Sequence, residues 1–461
     1  MKKSMLNLFC LAVFAASLVS ARSAWAGDTV LDNFALPPAD GNNSYSTPIN
    51  DKFGNLYGTS SQGGAHGYGT VWVLCAPGVS GADLFPCTAG LLNWTEFVLY
   101  SFKGLAPNDG ANPYSTLVFN GLYGGRAFTL YGTTYNGGNP KSCGANGALV
   151  GCGTVFELCA PSNYGGCGGV NLWKEKVLHR FLGGKDGAHP FAGLVTDKAS
   201  DLFGTTVYGG GFGTCIPSGS SNLFCGTVFK LKGQSPWTFP ETIEHRFKGG
   251  TTDGANPYSA LCCNTIYAIP YLYGTAVNAG ANNAGIAYRI KNSGAFPETI
   301  LYNFCSVSGC IDGANPYADV IFDGAGNLYS TTLQGGSGGF GIAYELSPAG
   351  PPWTETVLYS FLGTSDGGNP AAGLVFGPSG NLYGTTLYYG TGCGTCGTVY
   401  KLTPAGPPWN ETVINSFLGP ASDGDYPFGG VTFDPPVSTF ELYGATVGGG
   451  GNSVGIVYSV P

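Results

Sequence analysis

The chain repeats itself seven times, and the repeat is split in a way that only a closed ring mends. A Leu-Tyr/Phe-Gly-Thr segment recurs at Tyr57, Tyr131, Phe203, Tyr273, Tyr329, Tyr383 and Tyr443, with Ser330 and Ala445 departing from its Gly-Thr. An Asp-Gly pair precedes each copy, at Asp40, Asp109, Asp186, Asp253, Asp312, Asp366 and Asp423. A Gly-Thr/Ile-Val/Ala-aromatic segment follows each, opening at Gly69, Gly153, Gly226, Gly285, Gly341, Gly397 and Gly455. A fourth segment, typified by 353–361, carries Glu96, Glu175, Glu241, Glu298, Glu355 and Glu411, and the chain stops before a seventh. The missing copy lies at the other end, where residues 28–34 align with 355–361.

Each segment alternates apolar and polar residues, is rich in Val, Tyr, Phe and Thr, and is bounded by Gly and Asn, so each reads as a strand. Four strands per repeat make a propeller blade, and a ring of blades hides the strand edges that an open stack exposes. The expected fold is all-β: a seven-bladed β-propeller of four-stranded antiparallel blades, closed by the N-terminal strand completing the last blade. A β-solenoid would not need its first strand to supply what its last repeat lacks. With 78 Gly and 30 Pro the chain could pass for low complexity, but 43% hydrophobic residues without a G-X-Y period fit a packed, turn-rich β protein.

Lys2 and Lys3, an apolar run over 5–19 and the small residues Ala24 and Ala26 form a secretory signal peptide over 1–26, leaving one propeller domain over 27–461. Without Lys2, Lys3 and Arg22 the 19 basic residues fall to 16 against 27 acidic, a net charge of -11. Such a surface repels nucleic-acid phosphates and anionic lipid heads, and no second apolar run is long enough to span a bilayer. The protein is therefore expected to be secreted or periplasmic, with no nucleic-acid partner and no membrane span in the mature chain.

Twelve cysteines fall into close couples: Cys75 with Cys87, Cys143 with Cys152, Cys159 with Cys167, Cys215 with Cys225, Cys305 with Cys310, and Cys393 with Cys396. In an exported chain these read as disulfides, whereas the lone C-x-x-C at Cys393 lacks the histidine of a metal motif. Cys262 and Cys263 are adjacent, and their pairing stays open.

The elements D-G-A-N-P, G-N-L-Y-G-T, G-T-V-F and W-T-E-T-V-L-Y-S-F resemble the GloVer-type tandem repeat of exported bacterial proteins, and residues 312–361 match it almost throughout. The resemblance covers nearly the whole mature chain. It implies export and repetition, without an established reaction.

Antiparallel blades put all seven Asp-Gly pairs on one face with the loops joining the second and third strands. Those loops are lengthened in blades 2 and 3, where they carry the couples Cys143/Cys152 and Cys215/Cys225. Tyr135, Tyr208 and Phe212 lie in or beside these lobes, with Tyr388 and Tyr389 across the ring, and aromatics beside carboxylates suit sugars. The same residues equally suit packing of the loops. A ring of Asp carboxylates could hold Ca²⁺; yet Asp-Gly also starts turns by local hydrogen bonding, and no other cofactor is expected.

Departures from the repeat single out further candidates. His189 replaces Asn in blade 3, Asp425 and Tyr426 replace Ala and Asn in blade 7, and Asp319 stands where other blades place Gly, Thr or Ala. His179 and His245 occupy outer-strand positions where Tyr is usual. With no G-x-S-x-G or H-E-x-x-H motif, an enzyme would rest on His189 with Asp186 and Asp425, as a lyase or hydrolase assisted by Ca²⁺. The leading expectation is a binding or scaffold module for an extracellular glycan or a cell-surface protein, acting through the Asp-Gly face.

Overall fold

The computed structural model describes residues 28–461 apart from 39, 79–85, 88–90, 106–108, 120–128, 141–142, 144–148, 163–167, 198, 212–224, 234–238, 264–270, 292–297, 422 and 434–439. Residues 1–26, read above as a signal peptide, thus lie outside the described residues. Seven four-stranded antiparallel sheets form the ring. Blade 5 is representative: Ile321–Phe322 lines the axis, Leu328–Thr332 and Ile342–Ser347 follow outward, and Thr354–Ser360 is outermost. No blade contains an α-helix among the described residues.

Closure follows the split repeat. Thr29–Asn33 pairs antiparallel with Ile456–Val460, which pairs with Leu442–Ala445 and then Thr432–Phe433. The first strand of the chain is therefore the outer strand of blade 7, and the junction removes two exposed strand edges.

The repeat's residue types follow from the register. Gly58, Gly132, Gly204, Gly274, Gly384 and Gly444 lie directly opposite the third-strand aromatics Trp72, Phe156, Phe229, Tyr288, Tyr400 and Tyr458. Each ring covers its glycine, and a Cβ on Gly384 would come within 2.6 Å of the Tyr400 hydroxyl. Those aromatics are fully buried and, with the second-strand Leu and Tyr, fill the space between blades. The Thr after the glycine ties blades together: Thr133 Oγ1 donates to the Ala192 carbonyl and Thr205 Oγ1 to that of Ser259, both at 3.0 Å.

A second set of ties sits at the Asp-Gly turns. Asn112, Asn256, Asn315 and Asn369 hold positive φ and donate through Nδ2 to Ser61, Val207, Val277 and Leu333 carbonyls of the preceding blade. Bonded cysteine pairs are Cys75–Cys87, Cys143–Cys152, Cys305–Cys310 and Cys393–Cys396. Cys159 and Cys225 are also in disulfides, and their expected partners Cys167 and Cys215 lie outside the described residues. Cys262–Cys263 forms the innermost strand of blade 4.

Candidate functional site

The Asp-Gly pairs do share a face with the second-to-third-strand loops, because the two segments pair in every blade. Gly110–Ala111 pairs with Asn136–Gly137 and Gly424–Asp425 with Gly448–Gly449, while single bridges join Ala188 to Tyr208 and Gly368 to Tyr388. The carboxylates, however, turn away from the axis. Asp109 Oδ1 accepts from Gly110 N at 2.6 Å, and its Oδ2 accepts from Lys103 N at 2.9 Å and the Tyr100 hydroxyl at 2.8 Å. Asp312 and Asp366 repeat this with Tyr302 and Tyr359 of the preceding outer strand, at 2.9 and 3.1 Å.

A third partner is the Glu of the outer-strand motif. Its place in the sequence suggests the opposite corner of the blade, but the structure brings it against the Asp. Neighbouring strands rotate by roughly 20–25°, and every third-to-fourth-strand pair here carries a bulge that adds twist. Successive outer strands consequently overlap around the rim, where Trp353 N donates to the Leu301 carbonyl and Trp409 N to that of Leu358, each at 2.7 Å. Each blade boundary thus holds an Asp between a residue from the previous outer strand and a Glu from its own.

These pairs are acid–carboxylate pairs. Burial first, and the neighbouring Asp second, push Glu411 up to about 7 and Glu175 and Glu355 up to about 8. Burial and then Asp40 push Glu96 up to about 11. Beside an ionised Asp, burial favours the neutral Glu over a second buried charge. In blade 7 Asp28 takes the place of Glu beside Asp423 and Asn415, and burial and Asp423 raise it to about 8.

Aromatic rings occupy the axis instead. Five positions after the Asp, six blades present Tyr45, Tyr114, Phe191, Tyr258, Tyr317 and Phe428, and blade 6 presents Ala371. The rings meet across the ring centre: Tyr258 stacks on Tyr317 at 4.5 Å, Tyr114 on Phe191 at 5.1 Å, and Phe191 reaches Phe428 at 5.8 Å. All six are half-buried. Beside them a cavity of about 60 Å³ is lined by these rings, Ala371, Ala372, Thr47, Thr116 and Asp319. It is lined by no Lys or Arg, and Asp319 is its single carboxylate.

The sequence candidates distribute around this centre. Tyr135 lies 5.5 Å from Tyr114 and 4.4 Å from the His189 ring, and Tyr208 lies 5.9 Å from His189, so both lobe tyrosines join the aromatic centre. His189 is buried, with Nδ1 2.9 Å from the Tyr135 carbonyl and Nε2 2.7 Å from that of Cys143. It occupies the Asn latch position, holds the same positive φ, and additionally anchors the disulfide lobe. Burial lowers its pKa, against those carbonyls.

Asp319 is open to the cavity and accepts from Ala260 N of blade 4, and its confinement within the ring raises its pKa. Asp186 sits at the rim with His179, while Asp425 is buried with Oδ1 unpartnered and its pKa raised by burial. Tyr388 packs on Tyr426 at 5.5 Å and Tyr389 on Phe340 at 5.0 Å, away from the cavity lining. Phe212 lies outside the described residues. The aromatic ring itself was missed in the sequence, although its signal, an aromatic five residues after six of seven Asp, was there.

Ring closure, blade count and strand order define a seven-bladed propeller. Residues 270–461 match the Gloeobacter/Verrucomicrobia repeat, the kind of repeat the sequence elements resemble. No curated protein matches the chain. Among solved structures, an ancestral GH74 enzyme shares the fold with a TM-score of 0.53 at 10% identity, covering 94% of this chain and 51% of that one. This chain therefore spans about half the length of that enzyme. A provisionally assigned 6-phosphogluconolactonase from Bacteroides uniformis ATCC 8492 has a TM-score of 0.46 at 13% identity, over 85% of this chain and 91% of that one. A PL25 ulvan lyase has 0.42 at 8% identity, over 94% and 95%.

Proposed function

We propose that the protein is an exported binding module whose site is the aromatic centre of the Asp-Gly face, and that its ligand is the terminal unit of a neutral extracellular glycan. The observation that carries this reading is the notch at Ala371 in an otherwise aromatic ring, beside a cavity of about 60 Å³. At roughly 10–15 Å³ per enclosed water, that space admits a few water-sized groups, which suits the edge of one sugar rather than a polymer segment.

Half-buried tyrosines offer a flat apolar face for sugar C–H groups and a hydroxyl for sugar oxygens. The lining holds no cation to attract an anionic chain. The disulfides fit an oxidising compartment, as the signal-peptide reading requires. A glycan array on purified protein, followed by calorimetry with the best neutral oligosaccharide, tests the reading. Tyr258→Ala should weaken that binding at least tenfold, while Tyr388→Ala should leave it unchanged; equal binding by both would remove the site from the axis.

A further inference from the structure

Outer-strand Tyr100, Tyr302 and Tyr359 donate a hydroxyl hydrogen to the Asp of the next blade. At two consecutive boundaries His179 and His245 replace this Tyr, bringing a ring nitrogen to a place already holding two carboxyl groups. His179 Nε2 lies 3.5 Å from Asp186 Oδ2 and 3.6 Å from Glu241 Oε1. Both separations are long for a hydrogen bond. They approach the edges of a tetrahedron around a zinc ion, roughly 3.3–3.5 Å for Zn–N and Zn–O bonds of about 2.0–2.2 Å.

His179 Nε2 is enclosed without a hydrogen-bond partner of good geometry, and Glu241 Oε1 is enclosed as the Oε1 of every rim Glu is. At the next boundary the donor atoms of His245, Asp253 and Glu298 all lie within 4.8 Å of one another, with His245 Nε2 hydrogen-bonded to Asp253 Oδ1 at 3.2 Å and Glu298 Oε1 enclosed beside them.

We propose that these two boundaries are divalent metal sites of the zinc type, ligated by His179, Asp186 and Glu241 and by His245, Asp253 and Glu298, each leaving a fourth position for water. One imidazole nitrogen and two carboxylate oxygens form a donor set for a borderline first-row cation; Ca²⁺ requires six to eight oxygens. The ligands are held from behind in both places. Leu182 N donates to Asp186 Oδ2 at 2.7 Å and Lys248 N to Asp253 Oδ2 at 2.9 Å.

The imidazoles are fixed edge-on against Phe181 at 4.7 Å and Phe247 at 4.8 Å. Arg246, the cation nearest Glu241 on its own strand, donates its Nε–H to the Lys185 carbonyl at 3.2 Å. The remaining trio, Asp32, Asp40 and Glu96, has oxygens alone and serves as the internal contrast. This proposal is independent of the glycan reading, since the aromatic centre shares none of these residues.

The test is zinc uptake by chelator-stripped protein, dialysed against zinc buffered at micromolar free concentration and measured by elemental mass spectrometry. Two ions per chain are expected in the parent, one in His179→Tyr or His245→Tyr, and none in the double variant. Tyr is the residue at three of the other boundaries, so the double variant should melt with the parent when chelator is present. Cobalt loading of the parent supplies a readout that no variant can confound: intense visible bands of tetrahedral Co²⁺ are expected. Absence of zinc from the parent, equal zinc in parent and double variant, or a weak octahedral cobalt spectrum would each overturn the proposal.

Discussion

The rim and the axis of this propeller treat the repeat in opposite ways. At the rim every blade boundary keeps an Asp with a second carboxyl group, Glu in six and Asp28 in the seventh, while the third position varies among Tyr, His, Asn and Asp. At the axis six of the seven positions vary between Tyr and Phe, the seventh is Ala371, and the residue two further on varies among Thr, Gly, Ala and Asp319. The rim groups bond to backbone and to each other, whereas the axial groups are half-exposed and border a cavity. Uniformity therefore marks what closes the ring, and variation marks the places where the proposed ligands would be distinguished.

The largest expected effect comes from breaking the rim at its junction. A chain starting at Ala35 lacks the strand Thr29–Asn33, leaves Ile456–Val460 as an open edge and should aggregate or dimerise, with a melting temperature far below the parent's. Removing residues 216–221 from the lengthened blade 3 insertion, which lie outside the described residues, should cost much less. Size-exclusion chromatography and calorimetry compare the two; a parent-like monomer from the chain shortened to Ala35 would mean that the ring does not depend on its junction.

A smaller effect separates rim from axis by pH. Glu175, Glu355 and Glu411 have folded pKa values raised to about 8, 8 and 7, by burial first and the nearby Asp second. A carboxyl group neutral in the fold and ionised when unfolded contributes stability present in full below about pH 4.5, declining as pH rises and lost above the folded value. The melting temperature should thus fall between pH 5 and pH 9. The triple substitution to Gln, which keeps the side-chain size and removes the titrating carboxyl, should flatten that fall; an unchanged slope would assign the pH dependence elsewhere.

His189→Asn should be milder still. Asn retains the latch to the preceding blade and loses the contact with the Cys143 carbonyl, so about 1 kcal/mol is expected for one hydrogen bond. Loss above about 3 kcal/mol in urea unfolding would show that the imidazole carries more of the lobe than this contact.

Strand order, blade count and closure were legible because each segment alternates with period two and its glycines recur with the third-strand aromatics. The partnership of Glu with Asp was not. It depends on twist and bulges that carry the outer strand around the rim, so residues far apart in sequence, such as Asp186 and Glu241, meet only after the blade has coiled. His179 and His245 read as plain outer-strand residues for the same reason. The aromatic ring went unseen for a different one: Tyr45 and its equivalents follow a turn signal and were absorbed into it, and convergence on an axis is a property of seven blades together.

The central claim is that the ligand enters at the axial notch, and Ala371→Tyr tests it most directly because it gives blade 6 the residue that four other blades carry. The account predicts a protein that melts with the parent yet loses at least tenfold in affinity for the neutral oligosaccharide by calorimetry. Undiminished binding with the notch filled would contradict it.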